Sequence, residues 1–305
     1  MSAMFGTTRQ TNRAHHAILA VVLFAVLLAS TALAWWLAQI RRPSAEQGAE
    51  ILAGIRSRKL SAFWTGTSEQ WFLARKGNIA VSWRLAWHEP SEDGHYRGLD
   101  VFPVPGSPAQ AYWEHWTLTA DATEGHYVAG TVTRGPIGFV VQADTQIDLR
   151  NGTITAVQQI EGTRYQSSTP APAEYLPEGT LLLAAGRVAA QKGRGRFVMV
   201  SNQTPPEGDR TRLLPIVMSY AGAAEEELFP DGAMVNVGGG DWVVFDSRGQ
   251  LIGRIWKADN IVELPASAGD IAYHFREAPQ AVQAITTYLK RSTATKSSTD
   301  TQPGE

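Results

Sequence analysis

Ile79-Ala80-Val81-Ser82-Trp83-Arg84-Leu85-Ala86-Trp87 sets Ile79, Val81, Trp83, Leu85 and Trp87 at every second position. Alternate side chains of a strand point to opposite faces, so these five share one face; a helix would scatter them around its circumference. The period continues outward through His95 to Phe102, Tyr112 to Ala120, His126 to Thr133, Ile137 to Leu149 and Thr153 to Tyr165. Asn151-Gly152 accepts positive φ at both central positions of a tight turn, which makes the segments on either side a hairpin. Ser91 to Gly94 and Ala122 to Gly125 have the composition of two more hairpin loops. Loops this short join antiparallel neighbours, because parallel neighbours need a long crossover. The fold class is therefore mainly β, an antiparallel meander occupying residues 61–166.

Further along, Ser167 to Pro172 reads SSTPAP, a change of composition that predicts a linker over 167–174. A second segment, 175–290, begins with helix formers at Leu181 to Gln191, LLLAAGRVAAQ, followed by Lys192-Gly193 as a stop. Strands resume at Phe197 to Ser201, Leu214 to Tyr220, Met234 to Val237, Asp241 to Phe245, Leu251 to Lys257 and Ile271 to Phe275. A terminal helix is expected over Ala278 to Lys290, and residues 291–305 are too polar to pack. The body is thus either two consecutive lobes or one large sheet system with one or two helices packed on it.

Toward the amino terminus, residues 41–60 form a polar juxtamembrane linker and a short helix over Ile51 to Leu60. Before them, Ala17 to Ala38, AILAVVLFAVLLASTALAWWLA, carries no charge. At about 1.5 Å per residue a helix of this length crosses the hydrocarbon core, and Trp35-Trp36 falls at an interface where indoles prefer to sit. Residues 17–40 are expected to be a single-pass transmembrane anchor, preceded by a short basic tail over 1–16. Cleavage as a signal peptide is the rival reading, because Ala32-Leu33-Ala34 fits an A-x-A site. The basic tail is the end usually retained in the cytoplasm, which puts the body outside it. The opposite cue is Arg41 and Arg42 beyond the span.

The 305 residues contain no Cys, which excludes disulfides, thiolate metal sites and cysteine nucleophiles. Residues 43–290 hold 21 basic against 27 acidic side chains, a net charge of −6. Such a body is not built to neutralise phosphates, so nucleic acid is not an expected partner. No cofactor is implied either: Gly238-Gly239-Gly240 leads into a strand, whereas phosphate cradles open a helix.

Two groups of residues invite a functional reading. Trp83, Trp87, Trp113 and Trp116 could line an apolar cleft or an association surface, against the plainer alternative that they are core. His88, Glu89, Glu92, Asp93 and His95 supply imidazoles and carboxylates that zinc or manganese accepts. Their spacing matches no helix-borne metal motif, and a solvated acidic turn explains them as well. Glu114 and His115 could supply acid-base chemistry, but strand neighbours point to opposite faces. The architecture resembles curved-sheet lipid and lipoprotein carriers of bacterial envelopes, in which helices back a concave sheet; no motif carries that resemblance. It implies a membrane-anchored extracytoplasmic binding or assembly module, non-enzymatic, that contacts a lipid-like ligand or an envelope protein. A structural subunit of a membrane complex and an envelope hydrolase with a site between His88 and His126 are the alternatives.

Overall fold

Turn chemistry sets the sheet. Asn151 and Gly152 both adopt positive φ, at 50° and 70°, and pair Arg150 with Thr153 across the expected hairpin. Glu161-Gly162 repeats the device at 51° and 80°, so the strand expected to run from Thr153 to Tyr165 is two strands instead. The computed structural model describes residues 43–104, 107–201, 204–225 and 227–299, together with Phe24, Leu27, Leu28, Ser30 and Thr31.

Fourteen strands form one antiparallel sheet. In the first half they are β1 (Ser68–Lys76), β2 (Ile79–Pro90), β3 (Tyr96–Val104), β4 (Ser107–Leu118), β5 (Gly125–Gly135), β6 (Gly138–Arg150), β7 (Thr153–Ile160) and β8 (Thr163–Pro170). The second half comprises β9 (Arg194–Val200), β10 (Leu213–Ala223), β11 (Ala233–Asn236), β12 (Asp241–Phe245), β13 (Leu251–Trp256) and β14 (Ile261–Ala266). Neighbours in sequence are neighbours in space, and β1 pairs with β14 to join the halves. Of the two expected arrangements, the one continuous sheet is observed, and residues 43–305 form one compact unit.

The two ends of the sheet are drawn together by hydrogen bonds from Ser168 N on β8 to Asp209 O in the β9–β10 connection (2.8 Å) and from Gln158 Nε2 on β7 to Ser201 O just after β9 (2.7 Å). The sheet therefore curls. Ser167 to Pro170, expected in a linker, complete β8 opposite β7, and the Ser167 hydroxyl meets Thr211. Small polar residues suit an edge strand as well as a loop, which is why composition misplaced them.

Four helices pack on the sheet. Helix α1 (Ala45–Arg58) starts earlier than expected because Ser44 and Gln47 form a reciprocal capping box. Helix α2 (Leu181–Gln191) has the expected bounds. Ile271 to Phe275, expected as a strand, lies largely within α3 (Ala268–His274), whose start is fixed by the pair Ser267 and Asp270. Helix α4 (Ala278–Thr299) continues past Lys290 into residues expected to be unpacked. On the concave face, α1 and α2 pack with Trp116, Ile147, Met218 and Phe245, residues from both halves of the sheet. On the other face, α3 and α4 cover Trp71, Trp83, Leu85, Val101 and Trp113.

Residues 1–42 form a separate unit. The tail over 1–16 and the anchor over 17–40 lie outside the described residues, apart from the five helical positions named above. There Ser30 and Thr31 return their hydroxyls to the carbonyl of Leu27. Among the described residues, no helix is long and apolar enough to cross a membrane.

Candidate functional site

The face that carries Ile79, Val81, Trp83, Leu85 and Trp87 is covered by the carboxyl-terminal helices and is not left open. Trp83 and Leu85 are buried under them, whereas Ile79 and Val81 run out beyond the cover. Beneath the start of α4 the cover is incomplete. A cavity of about 350 Å³ remains there, walled by Trp83, Val132, Phe139 and Phe275. It exists because the facing positions are small: Ala109 and Ala111 on β4 look toward Ala278 and Ala281 on α4. Arg134 and Arg276 supply guanidinium groups at its margin, and Arg134 is ion-paired with Glu277 beside the first turn of α4. The arrangement offers apolar walls and a rim with the Arg134–Glu277 ion pair and one further cation, Arg276, which suits an apolar ligand carrying one anionic group.

The four tryptophans selected from the sequence do not make one surface. Trp83 is a wall of the cavity. Trp113 is fully buried beside it, donating to Thr131 O (3.2 Å) and meeting the ring of Tyr288 edge-on at 5.7 Å. Trp87 lies half-buried at the margin of the same core, with Arg97 over its ring at 6.0 Å. Trp116 belongs to the concave face, where it stacks on Trp64 at 5.1 Å. Its indole is fitted so closely against β3 that a Cβ on Gly98 would lie 2.1 Å from the ring.

The histidines and carboxylates of residues 88–95 also separate. His88 faces Trp64 at 5.0 Å, and burial lowers its pKa. Glu89 pairs with Arg97, His95 meets Asp93 at 3.1 Å, and Glu92 is exposed. Among the described residues, no three His, Asp or Glu side chains converge to hold a metal ion. Glu114 and His115 take opposite faces: burial, with Asp100 opposite, pushes Glu114 up to about 7, and burial pushes His115 down to about 4.

The concave face holds a belt of charge that the sequence did not reveal. Arg84 binds Asp100 at 2.7 Å, while Arg254 approaches Asp241 and Glu263 at 3.8 and 4.0 Å. Arg84 Nη1 and Glu263 Oε1 are buried without a hydrogen-bond partner among the described residues. In the alternation of residues 79–87, Arg84 occupies a position expected to face water. The elements packed on this face remove that water, and strand pairing sets Arg84 beside Asp100 of the neighbouring β3 and near Glu263 of β14, which is distant in sequence. The cavity-lining Arg134, Ala111 and Ala281 carry no local signal either.

No protein-family model and no curated protein matches the chain. A similar solved structure is the crystal structure of a β-barrel-like protein of domain of unknown function DUF1849 from Brucella abortus. It is 11% identical, with 66% of this chain and 96% of that chain covered, at a TM-score of 0.34. At that score the likeness carries no argument about function. The chain's own geometry is a mainly antiparallel β-sheet with few helices.

Proposed function

We propose that this chain is a non-enzymatic binding module whose cavity beneath α4 takes an apolar ligand with an anionic head, such as a long-chain carboxylate. The observation that carries the reading is the 350 Å³ cavity walled by Trp83, Phe139 and Phe275 with Arg134 and Arg276 at its margin. Its volume falls at the lower end of small-ligand sites, and apolar lining with a few placed charges is their usual chemistry. The uncharged run over 17–38 supports a membrane tether, with the body outside the cytoplasm and the membrane as the source of such ligands.

Displacement of a fluorescent fatty acid from the full chain in mild detergent tests this. Ala281→Leu fills the cavity from the helix side and is expected to abolish displacement while the fold melts as the parent does. Arg134→Gln is expected to weaken a carboxylate more than the matching alcohol, because only the former uses the guanidinium. Unchanged affinity in Ala281→Leu sinks the proposal.

A further inference from the structure

The geometry points to a second property, an end of the sheet built to rest on an anionic lipid surface. In a meander the hairpins β1–β2, β3–β4 and β5–β6 all turn at the same end. That end is apolar at its tips. Ile137 in the β5–β6 turn is fully exposed, Ile79 at the start of β2 is 70% exposed, and Val140 on β6 is 62% exposed, with Val81 partly so. Ile137 with Val140 on one hairpin and Ile79 with Val81 on another collect exposed apolar side chains at one end of the sheet, and apolar groups gathered in this way are candidates for an interaction surface.

Charge identifies the occupant. Arg75 and Lys76 precede the β1–β2 turn, and Arg276 lies beside the cavity margin, whereas Arg134 before the β5–β6 turn is paired with Glu277, so that pair adds no net charge; at the same end Glu161 lies in the β7–β8 turn, and Lys257 and Asp259 lie between β13 and β14. The opposite end of the same strands is mostly acidic, with Glu92 and Asp93 exposed in the β2–β3 turn, Asp121 and Glu124 half-buried between β4 and β5, and Arg150 at the β6–β7 turn. The body as a whole is acidic, so the basic tips stand against the general charge. Apolar tips at an end with an excess of basic over acidic residues fit a leaflet in which anionic headgroups lie over hydrocarbon, where each basic residue contributes about 1 kcal/mol. Arg134 is shared between this end and the cavity, so the margin of the cavity would face the leaflet. The inference rests on the proposed ligand reading only for what the docking accomplishes.

The absence of cysteine makes the test direct. Ile79→Cys, Ile137→Cys and, at the opposite end, Asp93→Cys each give the full chain one site for an environment-sensitive dye. The labelled chains are reconstituted into vesicles of phosphatidylcholine alone or with phosphatidylglycerol, with brominated acyl chains as quenchers. The dyes at 79 and 137 are expected to shift to the blue and be quenched in the anionic vesicles, and the dye at 93 to stay aqueous. Lys76→Gln is expected to weaken docking about fivefold, the equivalent of about 1 kcal/mol. Aqueous spectra at 79 and 137 in both compositions overturn the inference. So does an equal shift at 93, or a shift that rises with protein concentration without lipid, which assigns the tips to a second copy. Fatty-acid displacement in detergent is read separately, so loss of docking with displacement intact refutes the lipid surface alone.

Discussion

Glu178 is a buried carboxyl that accepts a hydrogen bond from Tyr175 at 2.6 Å, and burial pushes its pKa up to about 7. In the unfolded chain it would titrate near 4.5. A raised carboxyl stabilises the fold fully below the unfolded value, and the contribution is lost as pH rises through the folded one. Between pH 4 and pH 8 that loss is on the order of 3 kcal/mol for this side chain. Melting temperature is therefore expected to fall from pH 5 to pH 8, with Glu114, also pushed up to about 7, adding to the fall, and Glu178→Gln, which keeps an acceptor without the charge, is expected to reduce the slope without abolishing it. A variant with the parental pH dependence would remove Glu178 as its source. At Trp113, fully buried under α4, replacement by Ala is expected to cost about 3 to 5 kcal/mol in chemical denaturation. That cost would mark it as core and leave the ligand contact to Trp83.

Among the elements, those with one buried face or a marked turn were legible. The strand through Trp83, the Asn151-Gly152 hairpin and the helix at 181–191 follow from period two, a positive-φ pair and a run of helix formers. The pair that joins the sheet was not legible. In β1 Trp71, Phe72, Leu73 and Ala74 are all buried, because covered faces on both sides leave no alternation to detect. The short β14, Ile261–Ala266, contains Pro265 and a buried Glu263, neither of which suggests a strand inside a sheet. Helix α3 was hidden for another reason, its identity being set by the capping residues Ser267 and Asp270 more than by its apolar positions. Ser267→Ala is accordingly expected to destabilise by about 1 kcal/mol, measured as a shifted denaturation midpoint with unchanged slope. The cavity was half legible: period two selected Trp83, but a gap between facing alanines leaves no trace in either segment alone.

For the molecule as a whole, the β1–β14 pairing makes two sequence halves one object. Residues from both halves share the core around α1 and α2, so neither half retains its buried face when the other opens. Unfolding is expected to be a single transition, with tryptophan fluorescence and far-UV circular dichroism coincident along a denaturant titration. Two separated transitions would show that the halves are held only loosely. The same pairing matters during synthesis. Trp71 has Ala266 as its partner, 195 residues later, whereas the hairpins from β1 to β8 are made of near neighbours. A ribosome at about 5 to 20 residues per second leaves the outer edge of β1 uncovered for roughly 10 to 40 seconds after that strand has emerged. An apolar edge open for so long is a template for pairing with another nascent chain. A holding chaperone at that edge is therefore what this topology asks of the cell that makes it.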